Sequence, residues 1–191
     1  MLAELEQSVF PETSVERILT DITKTYYDIP NLEIQPEFQQ EYLRTRVARV
    51  EVLEKDAVDV IATHYSYDIH GNVKSLLQQI PGLPDKRTDY QYDLISGNVN
   101  YVFYQYGKYD QFIHNYKYDA DNRLVEVLTS TDGYIWDSDA RYKYYQHGPL
   151  ARVELGQYRV QGLDYYYTLQ GWIKGVNMPY AADLGMDGYA G

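Results

Sequence analysis

The chain has 191 residues, enough for one or two ordinary domains, and 45% of them are hydrophobic, as in a folded protein. A net charge of −11 argues against nucleic acid and anionic membranes as partners, because both need a cationic surface. The absence of cysteine excludes disulfides and zinc–thiolate sites.

In chain order, the first 13 residues read as a leader. They lack the basic start and apolar core of a signal peptide, so an export signal would lie upstream on a longer chain. Thr13 and Glu16 have capping-box spacing, which predicts a short helical stretch over 14–21. Ile22 to Tyr27 reads as a strand. Pro30 and Pro36 punctuate a loop. Glu37 to Arg44 then reads as a short helix, with Pro36 in its first turn and Phe38, Tyr42 and Leu43 on one side. Ala48, Val50 and Val52 alternate with charges as a half-buried strand, Glu54-Lys55-Asp56 turns the chain, and Val58 to Tyr67 is the next strand. Pro81-Gly82-Leu83-Pro84 breaks the pattern, Asn98 to Tyr106 is a strand, and Gly107-Lys108 turns it. Glu126–Ser130 and Tyr134–Trp136 read as a hairpin around Asp132-Gly133. Leu155-Gly156-Gln157 and Gln161–Asp164 bracket a further short strand. Residues 178–191 form a Gly-rich tail, the expected start of another module.

One phrase recurs through this pattern. It stands as Tyr116-Lys117-Tyr118-Asp119-Ala120-Asp121-Asn122, as Tyr65-Ser66-Tyr67-Asp68-Ile69-His70-Gly71, as Tyr90-Gln91-Tyr92-Asp93 closing at Gly97, and as Tyr142-Lys143-Tyr144-Tyr145 closing at Gly148. Tyr165 to Trp172, with Tyr167 and Gly171, is an altered fifth copy, and Tyr27-Asp28 is a degenerate first one. The second Tyr falls at 67, 92, 118 and 144, a period of repeat architectures. Tyr-x-Tyr places two rings on one face of a strand. Asp first and Gly fourth suit a type I turn, and Asn122 replaces Gly because it also tolerates positive φ. The extra residue before Gly97 predicts a longer loop or a bulge. Apolar residues follow each turn, so each copy reads as a β-hairpin. Hairpins at a fixed period extend one sheet, in which each contacts its neighbours.

No catalytic constellation, cofactor fingerprint or metal spacing stands out. Asp119-Ala120-Asp121-Asn122 lacks the glycine and closing glutamate of a calcium loop. His64, His70, His114 and His147 have no ligand spacing, and His70 and His147 share a turn position. The repeat tyrosines, 23 Tyr against 4 Phe in the chain, read as structural, with a stacking platform for sugars as the alternative. Trp136 and Trp172 read as packing anchors.

The Tyr-Asp dipeptides at 67–68, 92–93 and 118–119, the stretch Tyr116 to Leu124, and the stretches 139–156 and 161–177 resemble the RHS/YD-repeat family of Bacteroidetes-type bacteria. The resemblance covers about residues 45–177. It implies an all-β shell wall of consecutive antiparallel hairpins. The expected organisation is an irregular segment with a short helix over 1–45, repeats over 46–177 and the tail. It further implies a non-catalytic wall segment, as in polymorphic-toxin carriers that enclose a C-terminal polypeptide cargo, secreted or at the cell surface. The alternative is an adhesion module binding glycans or a protein partner. The implied partners are the rest of a longer chain or its cargo, with self-association through sheet edges; no cofactor is implied. The Asp-Pro-x-Gly self-cleavage motif of many such carriers is absent from the 191 residues.

Overall fold

The structure is a computed structural model, and it describes residues 21–34, 38–54 and 60–178. Twelve strands follow one another in a single antiparallel sheet whose spatial order equals the chain order. They are β1 (Asp21–Tyr27), β2 (Val47–Glu54), β3 (Val60–Tyr67), β4 (Val73–Gln79), β5 (Lys86–Tyr92) and β6 (Val99–Tyr104). The sheet continues as β7 (Phe112–Tyr118), β8 (Leu124–Ser130), β9 (Asp137–Tyr144), β10 (Leu150–Leu155), β11 (Gln161–Tyr167) and β12 (Ile173–Val176). Among the described residues the only helical element is a 3-10 turn at Leu32–Ile34.

Six hairpins share one local design. In each, the residue after the second Tyr donates its N–H to the carbonyl just before the returning strand: Asp28 to Arg46 (3.1 Å), Asp68 to Asn72 (2.9 Å), Asp93 to Asn98 (2.8 Å), Asp119 to Arg123 (2.9 Å), Tyr145 to Pro149 (2.9 Å) and Thr168 to Trp172 (2.8 Å). The register slips by one residue at the second Tyr in all six, a bulge that bends the strand and raises its twist. Tyr27-Asp28 is therefore a complete hairpin whose turn has been replaced by residues 29–45, and the sheet begins ahead of the repeat boundary expected at 46.

That inserted segment corrects the helix expected over Glu37 to Arg44; Glu37 lies outside the described residues. Residues 38–45 are irregular, with Tyr42 and Thr45 at φ values of 51° and 60°. The same residues still bury apolar surface: Phe38 and Leu43 are enclosed. Their backbone needs are met by the sheet instead of by a helix. Tyr67 N–H donates to the Glu41 carbonyl (3.2 Å), and Gln40 Nε2 donates to the carbonyls of Ala48 (2.6 Å) and Tyr65 (2.9 Å).

Two further expectations change. Tyr134–Trp136 is not a strand but part of the connection between β8 and β9. There the Asp132 carboxylate accepts the N–H groups of Tyr134 (2.8 Å) and Ile135 (2.9 Å), which competes with strand pairing. The bracketed stretch at 158–160 is likewise turn, with Arg159 at φ 54°, and the strands lie on either side of it. The capping-box helix, most of the turn after Glu54, the start of the strand expected from Val58, and the tail beyond Met178 lie outside the described residues.

Candidate functional site

Strand alternation sorts the side chains onto two different faces. On one, the first Tyr of each copy stands directly opposite an aliphatic residue of its own hairpin: Tyr65 opposite Leu76, Tyr90 opposite Val102, Tyr116 opposite Val127, Tyr142 opposite Val153 and Tyr165 opposite Val176. Tyr90 and Tyr92 stack at 6.4 Å, and Phe112, His114 and Tyr116 form a run of ring contacts along β7. The same face also carries polar residues, among them Thr63, Gln78, Lys86 and Thr88 in register with the tyrosine rows. Burial pushes the phenols of Tyr67, Tyr90, Tyr92, Tyr116, Tyr118 and Tyr144 above the ordinary tyrosine value.

The second Tyr of each copy has a separate task. Tyr67 donates its hydroxyl proton to the Val47 carbonyl (2.9 Å), Tyr92 to Val73 (2.8 Å), Tyr118 to Val99 (3.0 Å) and Tyr144 to Leu124 (2.7 Å). Each acceptor is the first residue of the returning strand in the preceding hairpin. The phenol thus latches one hairpin to the one before it. Arg46 lies over the Tyr67 ring at 5.5 Å and Arg123 over the Tyr144 ring at 4.7 Å, and in both cases the arginine immediately precedes the accepting residue. The fifth copy departs from this pattern. Tyr167 packs edge-on against Tyr145 at 6.3 Å, and it is Tyr145 whose hydroxyl donates, to the Tyr165 carbonyl (3.0 Å).

The opposite face combines ion pairs with buried apolar residues such as Leu77 and Ile113 and the stacked rings of Tyr101 and Phe103. Glu126 is held between Lys117 (2.8 Å) and Arg141 (2.9 Å), Glu154 accepts from Lys143 and Arg152 (3.2 Å each), and Arg152 grips both oxygens of Asp164 at 2.8 Å. Lys117 above all, with Arg141, holds the Glu126 carboxyl below its ordinary value. Burial pushes Glu154 up, but Lys143, Arg159 and Arg152 together outweigh it and leave that carboxyl low. Toward the amino-terminal end, the inserted segment and β4–β6 line an open cavity of about 470 Å³ that includes Phe38, Leu77, Arg87, Gln105 and Tyr106.

The turn carboxylates are occupied by the chain itself. Asp68 accepts the N–H and the side-chain amide of Asn72 (2.9 and 3.0 Å), Asp93 accepts from Ile95 and Ser96, and Asp119 accepts from Asp121 and Arg123. Gly71, Gly97, Gly148 and Gly171 all have positive φ, as does Asn122 at 60°. The longer second copy closes with Gly97 N–H on the Asp93 carbonyl (3.0 Å), one residue wider than the bond from Gly71 to Asp68 (3.1 Å). His70 and His147 are exposed at turn tips. Trp136 meets Tyr101 edge-on at 6.3 Å, but Trp172 is 74% exposed. Its reading as a packing anchor is corrected: it stands beside β12, the last strand of the sheet.

The repeat signature located the latching tyrosines; nothing in the sequence marks the backbone carbonyls that receive them. Sequence reasoning also missed the row Tyr109, Tyr134 and Tyr158, which are 97%, 89% and 89% exposed in successive connections at the sheet end opposite the Tyr-Asp turns.

No protein-family model and no curated protein matches the chain. Among solved structures, the fold is similar to TcdB2-TccC3 without its hypervariable C-terminal region, with a TM-score of 0.50 and 12% identity over 82% of this chain and 9% of that one. It is equally similar to TcdB2-TccC3-Cdc42, at a TM-score of 0.50 and 13% identity, again over 82% and 9%. The chain therefore spans about a tenth of the length of the structures it matches.

Proposed function

We propose that this chain is a non-catalytic segment of the wall of an RHS/YD-type shell that encloses a polypeptide, as in the polymorphic-toxin carriers its repeats resemble. The observation that carries the reading is the single open sheet of six hairpins, with a row of tyrosines on one face and cross-strand ion pairs on the other. A single-layer sheet leaves its rows of tyrosine rings without a second layer to cover them, and a shell supplies an interior there. The similarity of fold to TcdB2-TccC3, over 9% of that chain, fits a segment of a much larger body. In this reading the protein is secreted or displayed at the cell surface, with the rest of a longer chain and its cargo as partners.

The test is to read the coding region on both sides of this segment and to image the intact product by electron cryo-microscopy. Further Tyr-Asp repeats, and a hollow particle whose wall includes residues 60–178 with the tyrosine face inward, support the proposal. A product with no further repeats and no enclosed volume sinks it. The second reading, adhesion to a glycan or protein partner, would then lead. It draws on the exposed row Tyr109, Tyr134 and Tyr158, since exposed aromatics at low entropic cost suit contact surfaces.

A further inference from the structure

One titratable side chain is sealed into the sheet with half of its ring unused. His64 of β3 is 1% exposed. It stands opposite Arg49 of β2 on one side and Leu77 of β4 on the other. Its Nε2 lies 3.0 Å from Gln79 Oε1, and the Gln79 amide nitrogen donates to Asp85 Oδ2 at 3.1 Å. That chain of bonds turns the amide oxygen toward the ring, so Nε2 carries the proton and Nδ1 a lone pair. Among the described residues Nδ1 has no hydrogen-bond partner. A second proton would sit there, buried and without an acceptor.

The charges around the ring do not repair this. β2 brings Arg49, paired with Glu51 at 3.0 Å, and the connection between β4 and β5 brings Asp85. From β4 the ring meets the uncharged Leu77 and Gln79. Of the charged groups in the inserted segment, Glu41 pairs with Lys74 at 2.8 Å and Arg44 is exposed. Burial holds the imidazole below its ordinary value of 6.5. Arg49 adds to that, and the Gln79 bond, Asp85 and Glu51 offset only part of it.

The inserted segment is seated on this same pair of strands. Gln40 donates to the carbonyls of Ala48 and Tyr65, the sequence neighbours of Arg49 and His64, where the β2–β3 ladder ends. Glu41 donates its N–H to Ser66 Oγ at 3.0 Å and accepts the N–H of Tyr67. Leu43 packs with Ala48 and Tyr67. Residues 40–43 thus fill the mouth where β2 and β3 part, and their bonds depend on the spacing of those strands. Tyr42 and Thr45 hold left-handed backbone, which such residues keep only where the surroundings impose it.

We propose that residues 38–45 are an acid-released strap: a proton taken up at His64 Nδ1 drives the ring from Arg49, parts β2 from β3 at their mouth, and unseats the strap while the rest of the sheet holds. The open form binds the proton at the ordinary histidine value, and the seated form binds it only below that value. Release is therefore absent above about pH 6.5 and grows by up to about tenfold per pH unit below it. The inference goes beyond the wall reading and does not rest on it, since it concerns one joint within this chain.

Amide hydrogen exchange resolved by residue tests it on the intact chain. The N–H groups of Glu41 and Tyr67 are bonded across the strap's seat, so their protection reads its release. Corrected for the intrinsic effect of pH, that protection should fall at least about tenfold between about pH 7 and pH 5, while protection across β7 and β8 stays unchanged. His64→Gln should keep both groups protected at the lower pH. Arg49→Gln removes the repelling charge and leaves the imidazole, so it should make the loss shallower; it carries the test if His64→Gln does not fold. Protection at Glu41 and Tyr67 that is indifferent to pH, a loss shared equally by β7 and β8, or an undiminished loss in either variant overturns the proposal.

Discussion

The hydroxyl of Tyr118 donates to the backbone carbonyl of Val99 at 3.0 Å, across the joint between two hairpins. The bond matters because the hairpins meet chiefly through backbone ladders and one layer of side chains. A lone hairpin is marginal in water. A phenol that covers apolar surface with its ring and satisfies its hydroxyl on the preceding hairpin couples each unit to the last, and the sheet becomes stable as an array.

The turn geometry gives a first prediction. Gly71 sits at φ 99°, and a Cβ there would lie 2.6 Å from the guanidinium of Arg46. Gly71→Val therefore meets both backbone strain and a clash with the group that covers Tyr67, at a cost of about 1–3 kcal/mol. Ile69 is 71% exposed in the same turn, so Ile69→Val should leave stability within about 0.5 kcal/mol. Urea unfolding of the two variants checks this, and equal midpoints would sink the turn assignment.

Stability should fall on acidification in two stages. Burial of His64, only partly offset by its bond to Gln79, holds the imidazole below its ordinary value of 6.5. The unfolded chain takes up that proton more readily, so the contribution is complete above about pH 6.5 and shrinks as pH falls below it. The second stage belongs to the carboxylates. At Asp68 burial pushes upward, but bonds from Asn72, Gly71 and His70 prevail and lower the value; at Asp93 the Ser96 N–H leads the lowering, and at Asp119 the Arg123 N–H does. Their contribution is present above about pH 4 and is lost as pH falls through the depressed folded values. Unfolding midpoints taken against pH should show both stages, and His64→Gln should remove the first and keep the second. A protein that gains stability between pH 6.5 and 5 would contradict the account.

What the sequence showed and what it hid divide along physical lines. The tyrosine period made the hairpins, their turns and the single sheet legible, because side-chain alternation and turn chemistry are local. The extra residue before Gly97 announced the wider turn. The segment 38–44 misled, because the apolar spacing of Phe38, Tyr42 and Leu43 suits a helix equally well. Burial against the sheet and the backbone bonds of Glu41 with Tyr67 overrode that local preference. The latch was hidden because its acceptor is main chain, 19 or 20 residues back. No residue type marks a carbonyl. The cross-strand charges were visible as charges, but their partnering around Glu126 and Glu154 depends on register, which the bulges set.

The most direct test of the latch compares the two tyrosines within each copy. Tyr67, Tyr92, Tyr118 and Tyr144 each bond a carbonyl of the preceding hairpin. Among the described residues the hydroxyls of Tyr65, Tyr90, Tyr116 and Tyr142 have no hydrogen-bond partner. Urea unfolding of the eight single Tyr→Phe variants should show a loss of about 1 kcal/mol for each member of the first set and almost none for the second. The first-set losses should add when combined, since the joints lie in separate repeats. Equal losses in the two sets would mean that the phenol bonds do not hold the hairpins together, and the account of how this sheet is joined would be wrong.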